Sequence, residues 1–362
     1  FQVMKDLISI SSKDLSVVIQ GAVNSETHSC LSSVRKYLPQ AQIILSTWKN
    51  SDLSSYEGLY DILVLSEDPG AVVFEIAEQK TNSLNRILIS SRNGIEKAER
   101  KYVLRMRSDL VLKNDNVLKL FDDFKIRNPK SSLFKQRIFA YDIFSIKYYS
   151  FRKSKQPLLF HISDWCYLGL RDDLLEFFNI PAVQEPDFSR YFEFHKKTEY
   201  DLYPSRLWKM SPEQYFISSN ALKVFNNLKF ENYLDVNDEN TRISEDFIIN
   251  NFRVFAPEQW GIYTLKKQYR GTVMRSKNIF EYYSAEEQKK DYQKYCDTSY
   301  SIKDVEFLER LYKIKYFQQL RKHFALLTVC TTKKKLPEFF AVIWYLTKFL
   351  FAVSKEVLCS KK

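Results

Sequence analysis

Residues 84–112 read LNRILISSRNGIEKAERKYVLRMRSDLVL, and this stretch decides the fold class. Residues 82–98 fit a helix that carries the triplet Arg92-Asn93-Gly94. A short apolar run over residues 102–106 then fits a buried strand, ending on Arg107-Ser108-Asp109. Upstream, residues 15–21 (LSVVIQG) form another apolar run closed by glycine. Residues 26–37 read as a helix with Leu31, Val34 and Leu38 on one side and Pro39 behind it, and residues 41–48 and 61–65 as two more strands. Apolar strands alternating with helices predict an α/β fold, a mostly parallel sheet covered by helices on both faces. Such sheets bind ligands beyond the carboxyl ends of their strands. Gln20-Gly21, Ser46-Thr47-Trp48, Ser66-Glu67-Asp68 and Arg107-Ser108-Asp109 all fall at those ends. Four polar clusters on one rim point to a binding site more firmly than any one of them.

Beyond Asp115 the pattern blurs until about Ser154. Residues 158–169 (LLFHISDWCYLG) read as a long strand, or two joined by a turn, and residues 172–178 as a helix. An aromatic, charged segment covers residues 181–208. Ser211-Pro212-Glu213-Gln214 then opens a helix, with serine as N-cap and proline at the first helical position. Residues 244–251 and 252–263 suggest a helix followed by a strand. The expected organisation is one large domain over residues 1–300, with halves near 15–115 and 155–270, and a helical extension over 301–362.

Of the formal charge of +11, residues 301–362 carry 13 Lys and Arg against 5 Asp and Glu. The basic excess therefore belongs to the tail, which argues against a general nucleic-acid-binding face and for a local anionic contact. In that tail, residues 303–323 read as a helix, and Lys333-Lys334-Lys335 precede an apolar stretch over 336–358. Its Thr347, Lys348, Ser354 and Lys355 share one helical face. A mid-helix lysine makes spanning costly, whereas lysine-flanked apolar area suits a helix lying on a membrane surface. Docking onto the protein's own core is the plainer alternative. Five scattered cysteines without a C-x-x-C pair, and four histidines without ligand spacing, argue against structural zinc and fit a reducing compartment. The chain opens Phe1-Gln2-Val3-Met4 without a signal-peptide pattern or an initiator methionine, so an upstream segment is expected.

Several of these landmarks, in order, are Val17-Val18-Ile19-Gln20-Gly21, Ser33-Val34-Arg35-Lys36-Tyr37-Leu38-Pro39 and Ile43-Ile44-Leu45-Ser46-Thr47-Trp48. After them come Asn85-Arg86, Arg105-Met106-Arg107-Ser108-Asp109, Ile162-Ser163-Asp164-Trp165 and Pro212-Glu213-Gln214. Together they resemble the WavE family of lipopolysaccharide-synthesis proteins over roughly residues 15–265. The resemblance implies a GT-A-like, Rossmann-like glycosyltransferase fold. It further implies a nucleotide-sugar donor, hexosyl transfer, and a glycan or glycolipid acceptor of lipopolysaccharide or capsule, at the cytoplasmic face of the inner membrane. Many GT-A enzymes carry two aspartates, D-x-D, after the fourth strand. Here the first is replaced, giving Arg107-Ser108-Asp109. Asp109 is then the expected donor-side carboxylate, as ligand to Mn²⁺ or Mg²⁺ or as acceptor from a sugar hydroxyl. Arg92, Arg105 and Arg107 are available to neutralise a leaving diphosphate without an ion. Gln20, Gly21, Ser46 and Trp48 are expected to border the nucleotide, and Asn85 and Arg86 to reach the phosphates. For these the plain alternatives are packing for Trp48 and a surface salt bridge for Arg86. Asp164 and Glu213 compete as general base, Asp164 slightly ahead because a first-turn glutamate such as Glu213 also serves the helix dipole. His161, between apolar neighbours, reads as structural. A non-catalytic membrane scaffold with a degenerate transferase domain is the rival reading.

Overall fold

The structure is a computed structural model and describes residues 10–151, 154–198, 201, 205–265, 280–300 and 339–350. The chain divides into two compact units, Phe1–Thr298 and Ser299–Lys362.

In the first unit the strands are β1 (Leu15–Gln20), β2 (Gln42–Trp48), β3 (Ile62–Ser66), β4 (Val72–Glu75), β5 (Lys80–Asn82), β6 (Tyr102–Arg107), β7 (Leu110–Leu112), β8 (Ile138–Tyr141), β9 (Ile146–Phe151), β10 (Ser154–Pro157), β11 (Cys166–Leu170), β12 (Phe252–Phe255), β13 (Ile262–Thr264) and β14 (Phe280–Tyr282). The helices are α1 (Thr27–Tyr37), α2 (Leu84–Glu96), α3 (Arg171–Phe178), α4 (Tyr191–Phe194), α5 (Pro212–Ala221), α6 (Asp238–Asn251), α7 (Pro257–Trp260) and α8 (Ala285–Tyr295). Seven strands form the central sheet in the order β12-β8-β11-β6-β1-β2-β3. All run parallel except β11, which is antiparallel to both its neighbours.

The parallel half follows from its sequence. Val17, Val18 and Ile19 on β1 have no exposed surface, nor have Ile43, Ile44 and Leu45 on β2. A strand buried on both faces must be apolar without alternation, and burying each such side chain contributes about 1.5–3 kcal/mol. Val18, Ile44 and Val103 pack toward the layer holding α2, α3, α5 and α6. Val17, Ile19, Ile43, Leu104 and Met106 pack toward the α1 side.

Gly94 explains how closely α2 lies on the sheet. A Cβ at this position would come within 2.5 Å of Val18 Cγ1 and 3.0 Å of Ser46 Cβ. Gly94→Ala should therefore push α2 off β1 and β2, at a cost of about 1–3 kcal/mol. A thermal melt unchanged from the parent would show that the helix seats elsewhere.

Four expectations need correction. Residues 158–165 are not strand: only β11 is, and the preceding segment is a loop with Phe160 at φ 55°. Within residues 115–154 lies β8, a central strand hidden because only four residues belong to it. The helix expected from Ser244 starts at Asp238, where the Asn237 side chain accepts from the Asn240 N–H. Residues 252–263 are not one strand, since Pro257–Trp260 forms a helical turn that closes at Gly261, φ 67°. The β4–β5 hairpin, which no pattern in the sequence announces, has its Phe74 stacked on Trp208 with ring centroids 4.4 Å apart. In the second unit residues 339–350 are helical, while the helix expected over 303–323 and the lysine triplet lie outside the described residues.

Candidate active site

The carboxyl ends of β1, β2 and β6 are level, because Gln20 is in register with both Ser46 and Arg107. Behind this rim the side chains tie α2 to the sheet. Ser46 Oγ donates to the Ser90 carbonyl at 2.7 Å, and Ser90 Oγ lies 2.6 Å from Gln20 Oε1. Gln20 and Ser46 are buried, and Trp48, at the end of β2, is only 7 % exposed. Gly21 leaves β1 at φ 108°, a backbone region open to glycine. Ser108 crosses beside it, its hydroxyl donating to the Ala22 carbonyl at 2.7 Å.

Arg107 and Asp109 face each other across Ser108. Nε and Nη2 of the arginine donate to the two carboxylate oxygens at 3.0 and 2.6 Å. The guanidinium also lies over the Trp165 ring, 4.8 Å from its centroid. Such a bidentate pair fixes a plane as well as a charge, and the ring adds about 0.5–2 kcal/mol. Asp109 is buried, while the Arg107 side chain keeps 29 % of its surface open.

The loop before β11 brings the rest of the site to this point. Arg107 N donates to the Trp165 carbonyl, and the buried Arg105 donates to the Asp164 carbonyl through Nη1 and to Ser91 Oγ through Nε at 2.8 Å. The start of α5 is pinned to the same loop. Ser211 and Gln214 form a reciprocal capping box, and Gln214 Nε2 reaches the Leu159 carbonyl at 3.1 Å. This places Glu213, in the first turn of α5, against the loop residues His161 and Asp164.

The electrostatics of that cluster are unusual. Asp164 is 6 % exposed, and its carboxylate accepts no hydrogen bond from a described residue. Burial, then the nearby Glu213 carboxylate, pushes its pKa up to about 6, partly offset by Arg107, Arg105 and His161. Glu213 is raised as well, again chiefly by burial. His161 is lowered to about 4 by burial. A neutral imidazole facing the Phe144 carbonyl, 2.8 Å from Nδ1, must carry its proton on that nitrogen. Nε2 is left as an acceptor 4.0 Å from Glu213 Oε2. Around Asp164, two buried polar atoms, Arg105 Nη2 and the Tyr167 hydroxyl, have no hydrogen-bond partner among the described residues. Buried polar atoms are nearly always paired, so two such orphans around a buried carboxylate point to a site more than to a packing unit.

Other expected ligand contacts are engaged elsewhere. Asn85 exchanges hydrogen bonds with the backbone of Val183 at 3.0 and 2.9 Å. Arg86 grips Asp68 through two bonds of 2.6 Å. Arg92 donates to the Phe178 and Ile180 carbonyls, capping the end of α3. These three residues brace the wall behind the rim. His161, neutral and bonded to the Phe144 carbonyl, fits its structural reading, and its ring also lies beside Glu213. Its neighbours in the chain are apolar, and nothing in the spacing revealed that α5 would deliver a carboxylate to its ring.

A divalent ion does not fit the described residues well. No group of three His, Cys, Asp or Glu side chains among them is arranged to hold one, and both oxygens of Asp109 accept from Arg107. Nor do the best-formed cavities coincide with the chemistry. One of about 30 Å³, room for roughly one water, lies behind His161 beside Lys147 and Asp291. A shallower one of about 440 Å³ is lined by Leu222, Phe230 and Glu231, away from the carboxylates. What marks the site is the pair of carboxylates raised by burial, with two orphaned polar atoms beside them.

No curated protein matches the chain in sequence. The sequence profile of the WavE lipopolysaccharide synthesis family matches residues 15–324, spanning the whole central sheet and every residue of the cluster just described. With its GT-A-like sheet and its role in lipopolysaccharide synthesis, the chain belongs to the WavE lipopolysaccharide synthesis family.

Proposed function

We propose that the protein transfers a sugar from a nucleotide-sugar donor to a growing lipopolysaccharide or capsular glycan, at the cytoplasmic face of the inner membrane. The observation that carries this reading is the Asp164 carboxylate, which is buried, accepts no hydrogen bond from a described residue, and is held at a pKa of about 6 by burial and Glu213. A base of that strength is mostly ionised at neutral pH and still takes up a proton readily. In the proposed step the acceptor hydroxyl oxygen forms the new bond to the anomeric carbon as the bond to the donor diphosphate breaks. The hydroxyl proton passes to Asp164, and the leaving diphosphate takes the bonding pair. Arg107, oriented by Asp109 and Trp165, faces the charge that develops on it. Gly21 and Trp48 border the nucleotide, with the buried Gln20 and Ser46 behind them holding α2 to the sheet instead of touching it.

Thermal-shift titration with UDP, GDP, CMP and dTDP sugars, with and without Mn²⁺, tests this directly. One donor class should raise the melting temperature, since a ligand that binds only the native state stabilises it. The same donor should be hydrolysed slowly without acceptor. Stabilisation without any turnover, even with glycan acceptors, would favour the non-catalytic scaffold instead.

A further inference from the structure

The second unit carries a surface that the transfer reaction does not use. In the helix over residues 339–350, Phe339, Ile343, Leu346 and Leu350 fall within about 60° of one another at 100° per residue, and all four are exposed. Phe340 and Trp344, at 61 % and 60 % exposure, stand beside this strip, on the side that also carries Thr347 and Lys348. Lys348 Nζ lies 4.9 Å from the centroid of the Trp344 ring, so the far edge of the strip ends in a tryptophan capped by a cation. No helix among the described residues is long and apolar enough to cross a membrane.

We propose that this helix lies in the surface of an anionic lipid bilayer, with Phe339, Ile343, Leu346 and Leu350 inserted and Trp344 and Lys348 at the headgroup level. Charge decides between lipid and a second protein copy as the occupant. Residues 301–362 hold 13 Lys and Arg against 5 Asp and Glu, and Lys333-Lys334-Lys335 stand just ahead of the helix in the chain. Two copies would bring two such excesses together, whereas an anionic surface attracts each of them. The Trp–Lys edge also suits an interface, where an indole prefers the headgroup region and a lysine stem reaches toward water. This inference stands apart from the transfer reading, because it concerns a surface outside the proposed active site.

The test is co-sedimentation of the full chain with vesicles of phosphatidylcholine alone and of an equimolar mixture with phosphatidylglycerol. Binding should require the anionic lipid, weaken with added salt, and shift tryptophan emission to the blue. Ile343→Glu with Leu346→Glu should abolish partitioning. The triple change of Lys333, Lys334 and Lys335 to Gln should weaken it by about a hundredfold. Donor-induced thermal stabilisation, read on the same variants, should be unchanged and reports that the first unit is folded. Equal binding by parent and both variants, or binding to neither vesicle, would overturn the proposal. A concentration-dependent dimer that Ile343→Glu with Leu346→Glu dissociates would assign the strip to a second copy instead.

Discussion

Asp164→Asn is expected to lower transfer by about 10²–10⁴-fold while making the protein more stable at neutral pH. The two effects come from one cause. The native carboxyl holds its proton up to about pH 6, whereas an unfolded chain releases it near the ordinary aspartate value of 3.8. Between those values the folded state binds more protons than the unfolded one, so stability falls as pH rises through the window and stays lower above it. A shift of this size corresponds to a loss on the order of 1–3 kcal/mol. Asparagine carries no such cost, so the variant should melt higher than the parent at pH 7 and at the same temperature below pH 4. A site held for chemistry at the expense of stability behaves in this way. Glu213→Gln then separates the two acids. Removing its charge takes away the second-largest influence raising Asp164, and the acid limb of kcat/KM should move to lower pH with turnover retained. If Glu213→Gln abolishes transfer at every pH and Asp164→Asn does not, the base is Glu213.

The sequence disclosed the parallel half of the sheet because a doubly buried strand has nowhere to place a polar residue. Val17 to Ile19 and Ile43 to Leu45 could hardly be anything else. The N-cap of α5 was equally plain in Ser211-Pro212, since capping is a local interaction between neighbours in the chain. What escaped was decided over long range. β8 contributes four residues, and its place between β12 and β11 depends on partners more than a hundred and about thirty residues away. Residues 158–165 are as apolar as a strand, yet they run as a loop. Ser244 on α6, Ser145 before β9 and Gln214 on α5 hydrogen-bond that loop's backbone. The same loop determines the site. Asp164 and Glu213 were each visible as isolated acids, but their meeting beside His161 required the loop to be held by α5. Arg92 was misjudged for the matching reason. Its position in the helix suggested phosphate, and the carbonyls at the end of α3, some ninety residues later in the chain, have it instead.

The second large effect concerns Arg107 and Asp109. Arg107→Ala should reduce transfer by about 10²–10³-fold, the usual cost of removing one preorganised group that stabilises developing charge. Arg107→Lys should recover little of it, because an ammonium cannot satisfy both oxygens of Asp109 in one plane or stack on Trp165 as a guanidinium does. Asp109→Ala should be nearly as damaging, although its carboxylate makes its bonds to the arginine and not to the donor. Without it the guanidinium keeps its charge and loses its orientation, so kcat should fall further than KM rises. Guanidinium ion added to Arg107→Ala should restore part of the lost rate, whereas it should do little for Asp109→Ala, where the arginine still fills the space. Chelation of divalent ions should leave the parent's rate nearly intact if Arg107 supplies the neutralising charge. The opposite pattern, with Mn²⁺ essential and Arg107→Lys harmless, would mean that Asp109 releases the arginine to ligate an ion. Full activity in Asp109→Ala would show that Arg107 needs no carboxylate to hold it in place.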